Sequence, residues 1–196
     1  GLSVDYIIKC NLRIDLNRFQ KELLRDRHET VGRFDSRFMG VDSDDAGESP
    51  DFDASDVGIN SVFVSSLRAY LSADLGYKTD LDYRLGAYDQ AGFDWDWKHK
   101  PAMGWQQQVP DVAVDLGAAM RQNPHLKLLS VNGYYDMATP FFATEYDIGH
   151  IPMNKKTVSN ISFKYYPSGH MIYLNPEALT ALVKDLDVFY DQAAPQ

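Results

Sequence analysis

Leu126-Lys-Leu-Leu-Ser-Val-Asn-Gly-Tyr-Tyr-Asp-Met-Ala-Thr-Pro140, an aromatic stretch, and then Ile161-Ser-Phe-Lys-Tyr-Tyr-Pro-Ser-Gly-His-Met-Ile-Tyr173 decide how this chain is read. Each of the two apolar runs stops in a glycine-containing turn with one ionisable residue, Asp136 in the first and His170 in the second. The runs are strand-like. Leu126, Leu128, Leu129 and Val131 are nearly continuous, as in a strand buried on both faces, while Ile161, Phe163 and Tyr165 alternate. The segment between them predicts a helix to about Ile151, with Thr139 as N-cap and Pro140 at its first position, where a missing amide hydrogen costs nothing.

Strand, turn with Asp, helix, strand, turn with His, helix is the order of the closing section of an α/β-hydrolase sheet, whose triad follows the chain order Ser, Asp, His. Three stretches then carry a resemblance: Asn-Gly-Tyr-Tyr-Asp-Met-Ala-Thr-Pro-Phe-Phe-Ala-Thr-Glu-Tyr (132–146), Tyr-Tyr-Pro-Ser-Gly-His-Met-Ile-Tyr (165–173) and Val-Gly-Arg-Phe-Asp-Ser-Arg-Phe-Met-Gly (31–40). Together they resemble the serine carboxypeptidase-like family of peptidases, in its bacterial subgroup, over roughly Leu12 to Tyr190. The fold this implies is α/β, the C-terminal part of a hydrolase sheet with a mostly helical cap. Residues 1–110 are expected to be cap or lid, and residues 111–196 to carry the catalytic Asp and His.

The rest of the chain narrows the chemistry. Nineteen basic against 28 acidic residues give a net charge of −9, which disfavours nucleic acid or an anionic membrane as partner. No stretch of 18 or more apolar residues is present, and the N-terminus has no charged-then-apolar leader. Cys10 is the single cysteine, so no internal disulfide can form. His28, His99, His125 and His150 lack partners at metal-ligand spacing and there is no Gly-rich phosphate loop, so neither metal nor cofactor is expected.

Leu16, Phe19 and Leu23 space a short amphipathic helix after Asp15, and Thr30 to Phe38 reads as extended. There Arg33, Asp35 and Arg37 alternate with aromatics, which fits a salt-bridged surface strand or an arginine pair facing a substrate cleft. The acidic stretch Val41 to Asp56 is a loop. Asp42, Asp44, Gly47 and Asp53 imitate part of a calcium loop, but Ala46 stands where an oxygen ligand is needed and no Glu closes it. Gly47-Glu48-Ser49 imitates the start of a nucleophile motif, but Pro50 follows, and proline has no amide to donate to an oxyanion.

Ile59, Val62, Phe63, Leu67, Tyr70, Leu71 and Leu75 repeat as a helical stripe ended by Gly76, capped by Asp56 or Ser55 and expected to be packed. Lys78 to Pro110 is aromatic and irregular, with Tyr83, Tyr88, Phe93, Trp95, Trp97 and Trp105 either lining a peptide cleft or filling a cap. Val112, Leu116, Ala119 and Met120 mark a helix before the first strand. The last helix takes Asn175 as cap and Pro176 as first residue, with Leu179, Leu182, Val183, Leu186 and Phe189 packing it and Ala193 to Gln196 fraying.

The resemblance implies acyl transfer: a serine attacks a peptide carbonyl, His170 relays its proton, and Asp136 orients the imidazole. It implies that Met171 walls the leaving-group pocket, although packing alone would also explain a methionine there. It places the nucleophile, the oxyanion hole and the carboxylate-gripping residues in an N-terminal half that these 196 residues do not contain. The chain alone is then inert, its partners being peptide substrate and that missing half, with self-association through an exposed sheet edge as a further expectation. Secretion or a periplasmic location follows from the resemblance only. Two other readings stand beside it: a non-catalytic peptide-binding module of hydrolase shape, and an acyltransferase using the same triad.

Overall fold

A computed structural model describes the chain except for Leu85, Ala87, Asp89, Ala102, Met103, Pro195 and Gln196. Part of the expected C-terminal fraying therefore lies outside the described residues. The fold is mixed, with helices around two small sheets. Helices α1 (Val4–Lys9) and α2 (Leu16–Glu22) open the chain, followed by strands β1 (Thr30–Val31) and β2 (Met39–Gly40), then α3 (Ala54–Ala69). After α4 (Ala113–Gln122) come β3 (Leu128–Gly133), α5 (Phe141–Gly149), α6 (Lys155–Val158), β4 (Ile161–Tyr166) and α7 (Pro176–Ala193).

β3 and β4 pair in parallel, with Leu128 opposite Ile161 and Gly133 opposite Tyr166. Parallel strands require a crossover, and α5 and α6 supply it. Equal strand lengths in this register bring both C-terminal turns to one end, which is how Asp136 and His170 come together. A small core of Tyr166, Ile172 and Ala178 lies beneath them, with Val131 and Leu182 packed against it. Asn175 caps α7, its side chain accepting from the amides of Glu177 and Ala178, and Pro176 takes the first turn. Of the residues expected to pack α7, Leu182 packs against the core and Leu186 and Phe189 are half-buried, whereas Leu179 and Val183 are exposed.

Several expectations change. Thr30 to Phe38 is not one extended strand: β1 and β2 form an antiparallel hairpin with Thr30 opposite Gly40, and residues 32–38 make its loop. The cap of α3 is Asp53, whose carboxylate accepts from the Ser55 amide while also accepting from the Arg33 amide of the hairpin loop. Asp53 can serve both partners, which Asp56 and Ser55 cannot from inside the first turn. α5 starts after Pro140 with no side-chain cap, because the Thr139 hydroxyl is engaged by Asp136. The stripe is largely uncovered, with Val62, Phe63 and Leu67 on α3 and Tyr70 just past its end exposed, and Ile59 and Leu71 half-buried. β3 is only half-buried until Asn132 and Gly133.

The exposed surface totals 14182 Å², against about 9,400 Å² for a folded monomer of this size. Many large apolar side chains are exposed, and the aromatic segment is a surface ladder in which Tyr88 meets Phe93, Phe93 meets Trp95 and Trp95 meets Trp97. It does not fill a core. Trp105 is 93% exposed. Among the described residues no helix is long and apolar enough to cross a membrane.

Candidate active site

The strand ladder continues into the turns, as the Tyr134 amide donates to Tyr166 and the Tyr135 amide to the Ser168 carbonyl. Two glycines permit this approach. A Cβ on Gly133 would collide with the carbonyls of Ser168 and Gly169, and one on Gly169 would collide with Phe34 O and the Asp35 side chain. At Gly133 the obstructing atoms are all backbone; at Gly169 they are a backbone carbonyl and the Asp35 side chain, which its bonds to Arg37 hold in place. Gly169→Ala is expected to destabilise the fold by roughly 1–3 kcal/mol, measured by thermal unfolding. An unchanged melting temperature would mean that the turn yields more easily than its contacts suggest.

His170 Nδ1 lies 2.9 Å from Asp136 Oδ2. An ionised carboxylate can only accept, so Nδ1 carries the proton, which in the neutral imidazole leaves the lone pair on Nε2. Among the described residues, no hydrogen bond engages Nε2. The acid is shielded and the base is open: the Asp136 side chain is 5% exposed and that of His170 39%. An imidazole held and exposed in this way can accept a proton at Nε2.

Asp136 is saturated with donors. Its Oδ1 accepts from the amides of Ala138 at 2.8 Å and Thr139 at 2.9 Å, and its Oδ2 accepts from the Thr139 hydroxyl at 2.6 Å as well as from His170. Thr139 Oγ1 also stands 3.2 Å from His170 Nδ1. Burial alone would push the Asp136 carboxyl pKa up, but the Thr139 hydroxyl and amide and His170 outweigh it and hold the group below its ordinary value of 3.8. A depressed carboxyl contributes stability that is present above its unfolded pKa and lost as pH falls through the folded one. Thr139→Val, which keeps the amide and removes the hydroxyl, is expected to move the Asp136 titration upward and to start acid unfolding at higher pH. Carboxyl ¹³C NMR reads the first effect, and an unmoved titration would remove Thr139 from the site.

The arginine pair divides. Arg37 is held by Asp35, through Nε at 3.0 Å and Nη2 at 2.6 Å, and its guanidinium lies 4.5 Å above the Tyr135 ring. Arg33 has no ion-pair partner among the described residues and stacks on Phe34 at 5.6 Å. Met171 is partly buried just before the 3₁₀ turn Ile172–Leu174. The calcium-like loop is organised by Lys21, whose ammonium contacts Asp42 Oδ2 and the Asp44 carbonyl, each at 2.5 Å. Ser49 belongs to that loop, where Glu48 pairs with Arg18 and the Gly47 carbonyl accepts from Arg25. Sequence reasoning missed Thr139 as a partner of the acid and the hairpin loop as a neighbour of both turns. Only the position of Thr139, three residues after Asp136, offered a signal.

Comparisons with family models, curated proteins and solved structures return no match to this chain.

Proposed function

We propose that this chain is the acid–base portion of a serine carboxypeptidase-like hydrolase, with the nucleophilic serine supplied by a part of the protein outside these 196 residues. The observation that carries the reading is the Asp136–His170 pair, buried on the acid side, open on the base side, and mounted on the C-terminal turns of two parallel strands. In the reaction, His170 Nε2 takes the serine proton as the oxygen attacks the peptide carbonyl. The imidazolium then gives that proton to the leaving amine as the C–N bond breaks, and a water repeats the sequence on the acyl-enzyme. Asp136 keeps Nδ1 protonated and stabilises the cation in both halves.

The uncovered apolar surface supports a missing half, since α3, the aromatic ladder and the outer edges of β3 and β4 would be covered by the remainder of a larger hydrolase. Without that half, these edges favour self-association. Exposed aromatics suit peptide contact because they offer area with little entropy to lose. Met171, next to the base, is the proposed wall of the leaving-group pocket, and a secreted or periplasmic setting accompanies the peptidase reading.

The test is hydrolysis of blocked dipeptides, from acid to neutral pH, by the longer protein and by this chain alone. Cleavage by the longer protein and none by the chain is the expected result. Acyl transfer to a small acceptor without release of free acid would favour the acyltransferase. No turnover of either kind, with peptide still bound, would favour a binding module and overturn the proposal.

A further inference from the structure

We propose that hairpin-loop residues 33–37 form a clasp that sets the separation of Asp136 from His170, with Asp35 and Arg37 as its positioning residues. This rests on the reading of His170 as the base, and extends it to residues that touch neither substrate nor reacting atoms.

The contacts of the loop are distributed over both turns. On the acid turn, the Ser36 amide donates to the Tyr135 carbonyl at 2.9 Å, and the Met137 amide donates to the Arg33 carbonyl at 3.0 Å. These two bonds flank Asp136 on either side. On the base turn, the His170 amide donates to the Phe34 carbonyl at 2.7 Å, the Phe34 ring lies 5.3 Å from the imidazole, and Arg37 Nη1 donates to the Pro167 carbonyl at 3.2 Å. Arg37 therefore spans the gap itself, its face on Tyr135 and one edge on Pro167.

Asp35 holds that span in shape. Its buried carboxylate accepts from the Arg37 amide, Nε and Nη2, closing a fork that fixes the guanidinium plane. The loop is in turn anchored to α3, where Ser55 Oγ accepts from the Phe34 amide and Asp53 from the Arg33 amide. Were the loop only a surface packing element, its bonds would have no reason to bracket the two catalytic residues. A displacement of about 1 Å in such a pair costs on the order of 100-fold in rate. The clasp thus supplies rigidity that the Asp136–His170 bond, made by two side chains, cannot supply alone.

The experiment uses Asp35→Asn and Arg37→Lys. Arg37→Lys keeps the cation but removes the fork and the ring stacking. In this chain, imidazole ¹⁵N NMR reads the His170 tautomer and the exchange rate of Nδ1–H. In the longer protein, kcat and KM are measured. Both variants are expected to stay folded by near-UV circular dichroism, to speed Nδ1–H exchange at least tenfold, and to lower kcat on the order of 100-fold with KM changed only a few-fold. Unaltered exchange and tautomer in a folded variant would overturn the clasp, whatever the rate does. If Asp35→Asn fails to fold, Arg37→Lys carries the same expectation, and collapse of both would mean that the loop supports the fold and not the pair. A longer protein without hydrolytic activity would sink the functional reading while leaving the NMR result to decide the clasp.

Discussion

His170→Ala in the longer protein is expected to lower kcat by roughly a million-fold, and Asp136→Asn by roughly 10,000-fold. The difference follows from what each side chain does. In the proposed mechanism the imidazole takes the serine proton, so the residual rate of this variant would come from whatever oxyanion stabilisation the rest of the protein provides. Asn at 136 keeps the size of the side chain but can present an amide N–H to Nδ1, which puts the proton on Nε2 and blinds the base. KM should change little in either variant, because neither group is required to hold the ground-state substrate. The double variant should be about as slow as His170→Ala alone, since the two residues act as one unit and their losses do not add. A His170→Ala protein within tenfold of wild type would exclude His170 as the base. Equal, modest losses in both variants accompanied by lower melting temperatures would assign the pair to the fold.

The parts of this site that were legible in the sequence are those specified by local chemistry. Asn175 followed by Pro176 caps and opens a helix wherever it occurs, and α7 begins there. Two apolar runs ending in Gly-containing turns were enough to put Asp136 and His170 at one end of a parallel pair. What could not be read was the choice among equivalent local options, because partners distant in sequence make it. Asp53, Ser55 and Asp56 are all acceptable caps for α3. The Arg33 amide, twenty residues upstream, selects Asp53. Thr139 before Pro140 has the form of an N-cap, yet its hydroxyl serves the carboxylate three residues earlier. The stripe on α3 gave the helix correctly, but periodicity reports which side is apolar and nothing about what covers it. Charge is read unevenly: the Asp35–Arg37 ion pair was legible from the alternation, and Arg37 stays partly solvent-facing, whereas Lys21 looks like a solvent-facing helix residue and is instead buried against Asp42.

Lys21→Ala is expected to cost about 3–5 kcal/mol of stability, which for a domain of this length lowers the melting temperature by roughly 6–20 °C. The side chains of Lys21 and Asp42 are 4% and 2% exposed, so neither charge retains much water. The Asp42 carboxylate also accepts from the Asp51 amide, and Asp51 from the Ser43 amide, so the acidic loop is folded around this one ammonium. Deleting the lysine leaves Asp42 buried without its counter-charge, and that penalty exceeds the modest net worth of the pair itself. Replacing both partners, Lys21→Met with Asp42→Leu, should therefore recover most of the loss, since it abandons the two desolvated charges together. A double variant as unstable as Lys21→Ala would show that the loop needs the ammonium for its contact with Asp44 and not to balance Asp42. The consequence extends to the candidate site. Gln20, the neighbour of Lys21 on α2, donates to the Val31 carbonyl in β1, and β1 enters the loop that touches the turns of Asp136 and His170. In Lys21→Ala, Nδ1–H exchange at His170 should quicken well below the melting temperature. If exchange instead stayed at its wild-type rate until global unfolding, the hairpin would be anchored from the α3 side alone.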